Sequence, residues 1–284
     1  MSQTTTWPAP AKLNLLLRIV GRRADGYHLL QTVFQFIDLC DELTFSVRED
    51  GRVHRLSELA GVAAGNDLVV RAAHLLQQET GCRLGADIDV TKRIPMGGGL
   101  GGGSSDAATT LVALNHLWRL GLDHERLAEL GLQLGADVPI FVRGRAAWAE
   151  GVGEAFTDIE PEMPVYLVLA PPVHVDTGKV FQDPELTRNS DRITIRDFLA
   201  GEHGNDCLAV VRKRYPAIAQ VFDWLDEKAS ARMTGTGACL FAACADRSAA
   251  ETLLAARPAG VEGFVVQGLN RSPLLDALHR ARAD

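Results

Sequence analysis

Residues 97–103 set six glycines around a single leucine, Leu100, and this run limits the fold more than any other feature of the 284-residue chain. Each glycine gives up backbone entropy on folding, so the run needs a structural reason. Upstream, "DIDVTKRI" alternates apolar and polar residues, the pattern of a strand with one buried face. Downstream, Ala107, Leu111, Leu114 and Trp118 recur at helical spacing and predict an amphipathic helix beginning near Ser104. Strand, glycine loop and helix start together form a phosphate-binding arrangement. Successive backbone N–H groups converge there, and the helix N-terminus adds partial positive charge. The glycines leave room for phosphate against the backbone, and Ser104 and Ser105 can cap the helix or offer hydroxyls to phosphate or metal.

Two other readings share the composition. A flexible linker is also rich in Gly and Ser, but here a strand and a helix bracket the loop and Pro95 stiffens its entrance. A dinucleotide-binding turn would use Gly97, Gly99 and Gly102 as GxGxxG, a pattern that any glycine run contains. It also wants an acid at the end of a following strand, and Asp123 follows a helix instead. The loop is not a Walker A, because Gly103 stands where the Lys belongs.

The rest of the chain alternates strand and helix patterns, which predicts an α+β fold. Strands are expected at 11–20, 29–38 and 41–50, with Gly26 in the first turn, and a helix over 66–78 capped by Asn66. Asp123 caps a further helix with Leu127, Leu130, Gly131 and Leu134 inward. "EMPVYLVLAPP" is a buried strand stopped by its prolines, and a polar, turn-rich stretch follows to Asp206. Helices at 208–214, 218–228 and 249–256, a strand–turn–strand at 232–244 and a strand at 262–269 complete the reading. Two domains are expected, 1–156 and 157–284, with the active site in the cleft between them.

No run of eighteen apolar residues is present, and the first residues lack a basic-then-apolar signal, so no membrane association and no secretion are expected. Five scattered cysteines without metal-ligand spacing argue for a reduced cytoplasm. A net charge of −7 argues against nucleic-acid binding, so an anionic ligand must be captured locally.

Four segments, in order, resemble one family. "PMGGGLGGGSSDAA" is similar to the phosphate loop of the GHMP kinases (galactokinase, homoserine kinase, mevalonate kinase and phosphomevalonate kinase). "PAPAKLNLLLRIVGRRADGYHLLQTVFQFIDLCDEL" and "LGADVPIFVRGRAAWAEGVGE" resemble the amino-terminal and central segments of a branch acting on a cytidine-diphosphate-linked methylerythritol. "MTGTGACLFA" resembles the superfamily's third, glycine-containing motif. The resemblance covers nearly the whole chain. It implies the two-domain GHMP kinase fold and ATP-dependent phosphorylation of the C2 hydroxyl of that small molecule, on the non-mevalonate route to isoprenoids. Another GHMP kinase, or a non-catalytic nucleotide-binding module, are the alternatives. The nucleobase-type "DGYHLL" speaks against the first, the presence of both Lys12 and Asp137 against the second.

The same resemblance implies roles residue by residue. Asp137 becomes the catalytic base, facing the substrate hydroxyl, and Lys12 the catalytic lysine, set beside it in an apolar strand where an unpaired charge would be costly. ATP falls to Pro95, Met96, Gly97, Gly98, Gly99, Leu100, Gly101, Gly102, Gly103, Ser104 and Ser105. Asn14 lies on the strand face of Lys12 and orients the substrate. Tyr27 and His28 form the cytidine pocket with Phe181 as the opposite stacking ring, and Thr177 contacts the methylerythritol end. Thr234, Gly235, Thr236 and Gly237 lie against the phosphates across the cleft. Mg2+ is expected with ATP. Relatives hold it with a helix-start Ser and a Glu; Ser105 is present but no matching Glu, so phosphates and water would carry it.

Overall fold

The computed structural model describes residues 4–24, 26–57 and 64–283. The chain enters through two long antiparallel strands, β1 (Thr4–Arg22) and β2 (His28–Arg48); Asp25 lies outside the described residues. After β3 (Val53–Arg55), α1 (Leu68–Thr80) and β4 (Gly85–Thr91) comes the glycine loop. Three helices follow: α2 (Gly102–Leu117), α3 (His124–Leu134) and α4 (Val138–Arg143). The hairpin β5 (Ala147–Gly151) and β6 (Ala155–Asp158) leads to β7 (Val165–Ala170). Helices α5 (Thr177–Gln182), α6 (Ile195–Leu199), α7 (Leu208–Arg214) and α8 (Pro216–Asp226) precede the hairpin β8 (Arg232–Met233) and β9 (Leu240–Cys244). The described chain closes with α9 (Arg247–Ala255), β10 (Glu262–Leu269) and α10 (Pro273–Ala283).

β2 joins the two halves. It pairs with β1 along its length, with β5 at Leu30–Phe34, with β10 at Phe36 and Ile37, and with β4 at Glu42–Arg48, giving the order β3-β4-β2-β10-β7-β9-β8. The strands expected at 29–38 and 41–50 are therefore one. Asp38 and Asp41 suggest a break, but buried Asp41 is compensated. Its carboxylate accepts the backbone N–H groups of Arg93 and Ile94 and pairs with Lys92, so the strand continues through it.

Register shifts in the β1–β2 pairing fall between Pro10 and Lys12 and between Asn14 and Leu16, bracketing Lys12 and Asn14. Such bulges re-aim side chains and backbone groups. Here the N–H of Lys12 donates to Leu100 O (3.0 Å), and that of Asn14 to Thr234 Oγ1 (3.0 Å).

Other expectations shift. Asp67, not Asn66, caps α1, accepting from the N–H of Val69 at 2.9 Å. Asp123 caps α3 as expected. Helix α2 starts at Gly102, two residues before Ser104, with Gly101 in the left-handed cap position and no side-chain cap. It is not amphipathic either, since Ser105 to Asn115 are all buried. It lies between β1 and β2 on one side and α1, α3, α4 and α10 on the others, so it has no solvent face.

The core forms three clusters. One packs α1–α4 and α10 on the sheet, and another packs α7 and α8 on β7 and β9. The third draws on both halves, with Leu13 and Leu16 from β1, Ile37 from β2, Tyr166 and Val168 from β7, and Val266 from β10. Leu100 belongs to this third cluster at 1% exposure, so the one side chain in the glycine run anchors it.

Candidate active site

A single cavity of about 1040 Å3 runs from the glycine loop past Lys12 and Asp137 to Tyr27, His28 and Phe181. At its centre the buried Lys12 ammonium donates to Asn14 Oδ1 (2.6 Å) and Gly99 O (2.9 Å), and stands 3.5 Å from Asp137 Oδ2. The Phe34 ring lies 5.5 Å from it. Asn14 is held in turn by Thr32, whose hydroxyl accepts from Asn14 Nδ2 at 2.9 Å and donates to Leu16 O. Asp137 occupies the N-cap position of α4, yet its carboxylate makes no cap hydrogen bond. It faces the cavity and Lys12 instead.

The glycine loop is tight for two reasons, and only one is open space for a ligand. Gly101 has φ +76°, and a Cβ there would lie 2.7 Å from Phe141 Cζ and 3.2 Å from Lys12 Cε. Gly99 has φ +77°, and its Cβ would run into Thr234 O. The glycines are expected to leave room for phosphate; at Gly99 and Gly101 the protein's own residues already exclude a side chain. Gly103 fits the expectation: a Cβ would meet only Leu68 Cδ1, at 3.8 Å, and the residue lines the cavity.

Ser104 lines the cavity, but Ser105 does not. It is fully buried, its hydroxyl without a hydrogen-bond partner, because a helix starting at Gly102 turns the residue after Ser104 inward. This corrects its expected contact with phosphate or metal. In the third motif, Gly235 and Thr236 reach the cavity. Thr234 is fully buried and ties β1 to Gly99, accepting from the Asn14 N–H and donating to Gly99 O (3.1 Å). Its expected place against the phosphates becomes a place behind the loop. Thr177 hydrogen-bonds Thr236 across the cleft at 2.8 Å.

At the far end Tyr27 is 66% exposed on the rim. Phe181 stacks on His28 at 5.1 Å with the planes 29° apart, so its ring faces the imidazole directly. Burial, then the charges of Arg188 and Arg22, hold the His28 imidazole below its ordinary pKa.

Sequence reading missed four contributors. Lys92 lies beside the loop between Asp41 and Asp106, 2.8 Å from Asp106 Oδ2. Burial works against its charge, but Asp106 and Asp41 outweigh that and raise its pKa. Burial pushes the Asp106 carboxyl up to about 7, with Asp41 adding and Lys92 opposing. Asn205 holds the third motif through Met233 O and Gly235 O. Arg188 bonds His28. A lysine at a strand end before the loop and an acid inside an apolar helix were the signals for the first pair.

Residues 67–145 match the GHMP kinases N terminal domain, and residues 185–262 the GHMP kinases C terminal domain. The 4-diphosphocytidyl-2-C-methyl-D-erythritol kinase of Nitrosococcus oceani is 57% identical over 274 residues, spanning 96% of this chain and 98% of that protein. The chain belongs to the 4-diphosphocytidyl-2-C-methyl-D-erythritol kinases of the GHMP family. A second member of that family, from Pseudomonas syringae pv. syringae, is 56% identical over 94% of this chain and 95% of its own. A crystal structure of a 4-(cytidine 5'-diphospho)-2C-methyl-D-erythritol kinase superposes with TM-score 0.80 at 31% identity, covering 93% of this chain and 99% of that one. A mevalonate kinase structure, TM-score 0.67 at 14% identity, shares the fold. Among the described residues, no helix of this GHMP kinase is long and apolar enough to cross a membrane.

Proposed function

We propose that the chain transfers the γ-phosphoryl group of ATP to the C2 hydroxyl of 4-diphosphocytidyl-2-C-methyl-D-erythritol. The observation that carries this reading is the Lys12–Asp137 pair midway along one cavity, with the glycine loop at one end and the His28–Phe181 stack at the other. Phosphoryl transfer needs positioning and charge stabilisation more than covalent help. The N-terminus of α2 and the loop N–H groups cradle the phosphates. Asp137, uncommitted to capping, accepts the hydroxyl proton. An ammonium has three N–H groups. Two of Lys12's are taken by Asn14 and Gly99, which leaves one for the charge developing between phosphate and Asp137. Tyr27, His28 and Phe181 take the cytosine, and Thr177 the methylerythritol end.

The division into 1–156 and 157–284 puts the cavity between the halves. Mg2+ accompanies ATP in this reading. No cluster of three or more metal-ligating side chains occurs among the described residues, and the Ser105 hydroxyl is buried away from the cavity. The ATP phosphates and water would carry the ion. The five free cysteines, with Cys207 and Cys239 buried, support a reducing cytoplasm.

A coupled ADP-release assay over a panel of alcohols tests the function. Turnover should require the cytidine-diphosphate handle; free methylerythritol should be poor, and mevalonate, homoserine and galactose inactive. Equal rates with and without the handle would overturn the reading.

A further inference from the structure

Among the groups that the proposed chemistry does not use, Arg188 is the one whose bonds converge on the substrate end of the cavity. It lies in the loop after α5 and does not line the cavity. Its Nε donates to His28 Nε2 at 3.2 Å, Nη2 to Phe181 O (2.9 Å) and Asp183 O (2.7 Å), and Nη1 to Leu186 O (3.0 Å). The guanidinium thus binds the carbonyl groups left open at the end of α5 and, with the same plane, the first residue of β2.

We infer that Arg188 is a positioning residue that fixes His28 as the neutral tautomer protonated on Nδ1. A guanidinium is always charged and has no acceptor. An imidazole nitrogen facing its N–H must therefore offer a lone pair, and the single proton of a neutral ring goes to the other nitrogen. This reverses the tautomer that an imidazole in water prefers, so the protein must hold it in place. Burial and the nearby Arg22 charge add to the pressure against a second proton.

His28 then meets its ligand with a fixed donor, Nδ1–H, and with no free acceptor on the ring. The inference rests on His28 serving the cytosine pocket. The ring edge of cytosine carries acceptors at O2 and N3, which such a donor fits. Because Arg188 also grips Phe181 O and Asp183 O, the Phe181 ring and the imidazole are held at their stacking distance by one side chain. A site whose hydrogen-bonding edge is set before binding spends less on ordering it afterwards.

The test reads the tautomer directly. In histidine-15N-labelled wild-type protein, with His28 assigned by its loss in His28→Gln, the long-range 1H–15N spectrum should show an unprotonated Nε2 and a protonated Nδ1. Arg188→Met should abolish that pattern and raise KM for the cytidine substrate about 3- to 15-fold, the scale of one lost hydrogen bond, with a smaller change in kcat. Arg188→Lys, which keeps a donor, should restore part of both. A protonated Nε2 in the wild type overturns the inference without any variant having to fold. So does an Arg188→Met enzyme that keeps both the Nδ1–H tautomer and the wild-type KM. Titration with cytidine 5'-monophosphate separates this from the functional reading: the expected tautomer, with His28 signals moved by ATP but not by the cytidine nucleotide, supports the lock and overturns the base pocket.

Discussion

Lys12 Nζ stands 3.5 Å from Asp137 Oδ2 but gives its shorter hydrogen bonds to Asn14 and Gly99. The lysine is fastened to strand and loop, and the aspartate, 40% exposed, is left open to the cavity. A tight ion pair would occupy the carboxylate; this one leaves it able to take a proton from an alcohol. Asp137→Asn should therefore fold normally and bind ATP nearly as well, with turnover reduced about 100- to 10,000-fold, the scale of general-base assistance. Steady-state kinetics beside a thermal melt checks this, and near wild-type turnover would remove Asp137 from the chemistry.

The loop glycines divide by what a side chain would meet. Gly101→Ala places a Cβ at positive φ against Phe141 and Lys12, and should destabilise the fold by about 2 kcal/mol or more. Gly103→Ala adds its methyl on the cavity side, in a helix, and should leave the unfolding midpoint unchanged or raised while weakening ATP binding. Urea denaturation and ATP titration of both variants decide it. Equal destabilisation of the two would contradict this division.

Phe181→Ala and Tyr27→Ala should each lower kcat/KM for the cytidine substrate about 5- to 150-fold, the worth of one stacked base, with the ATP dissociation constant within about twofold. The effect should be mainly in KM for exposed Tyr27. Phe181→Ala also removes the ring against His28 and should disturb the imidazole signals. Loss of ATP affinity, with that for the cytidine substrate retained, would mean that the two pockets had been exchanged.

Asp106 carries a pH signature. Its carboxyl is raised from 3.8 to about 7 in the folded chain, so between those values the folded state binds more protons than the unfolded one. Stability from this group must then fall as pH rises from about 4 to 7. Asp106→Asn mimics the protonated acid. The variant's melting temperature relative to wild type should climb over that interval and level off above about pH 8. A difference that stays flat across the range would show that the carboxyl titrates normally.

The loop, its flanking strand and its following helix were readable because their signals are local: alternation, glycine composition and helical spacing within a few residues. The helix start was misplaced because Gly101 caps α2 in a left-handed conformation that Phe141 and Lys12 surround, partners far away in sequence. The union of two expected strands into β2 depends on Lys92 and the 93–94 backbone neutralising Asp41, again a tertiary fact. Helix α4, six residues long, carries too few positions to show a period. Arg188 is invisible in the sequence because nothing beside it announces the groups it bonds, His28 and the carbonyls of Phe181, Asp183 and Leu186.

The continuity of β2 bears on how donor and acceptor meet. The strand runs from His28, at the far end of the cavity, past Thr32 and Phe34 beside Asn14 and Lys12, to Asp41, which secures the loop entrance. A ruler of this kind has spacings set by covalent geometry and ladder hydrogen bonds, which stretch very little. The separation between the glycine loop and the His28–Phe181 end of the cavity is thus graduated along one strand. In the proposed function that fixed spacing would set how far a phosphate donor at the loop stands from a substrate held near His28, so their alignment would draw on the sheet.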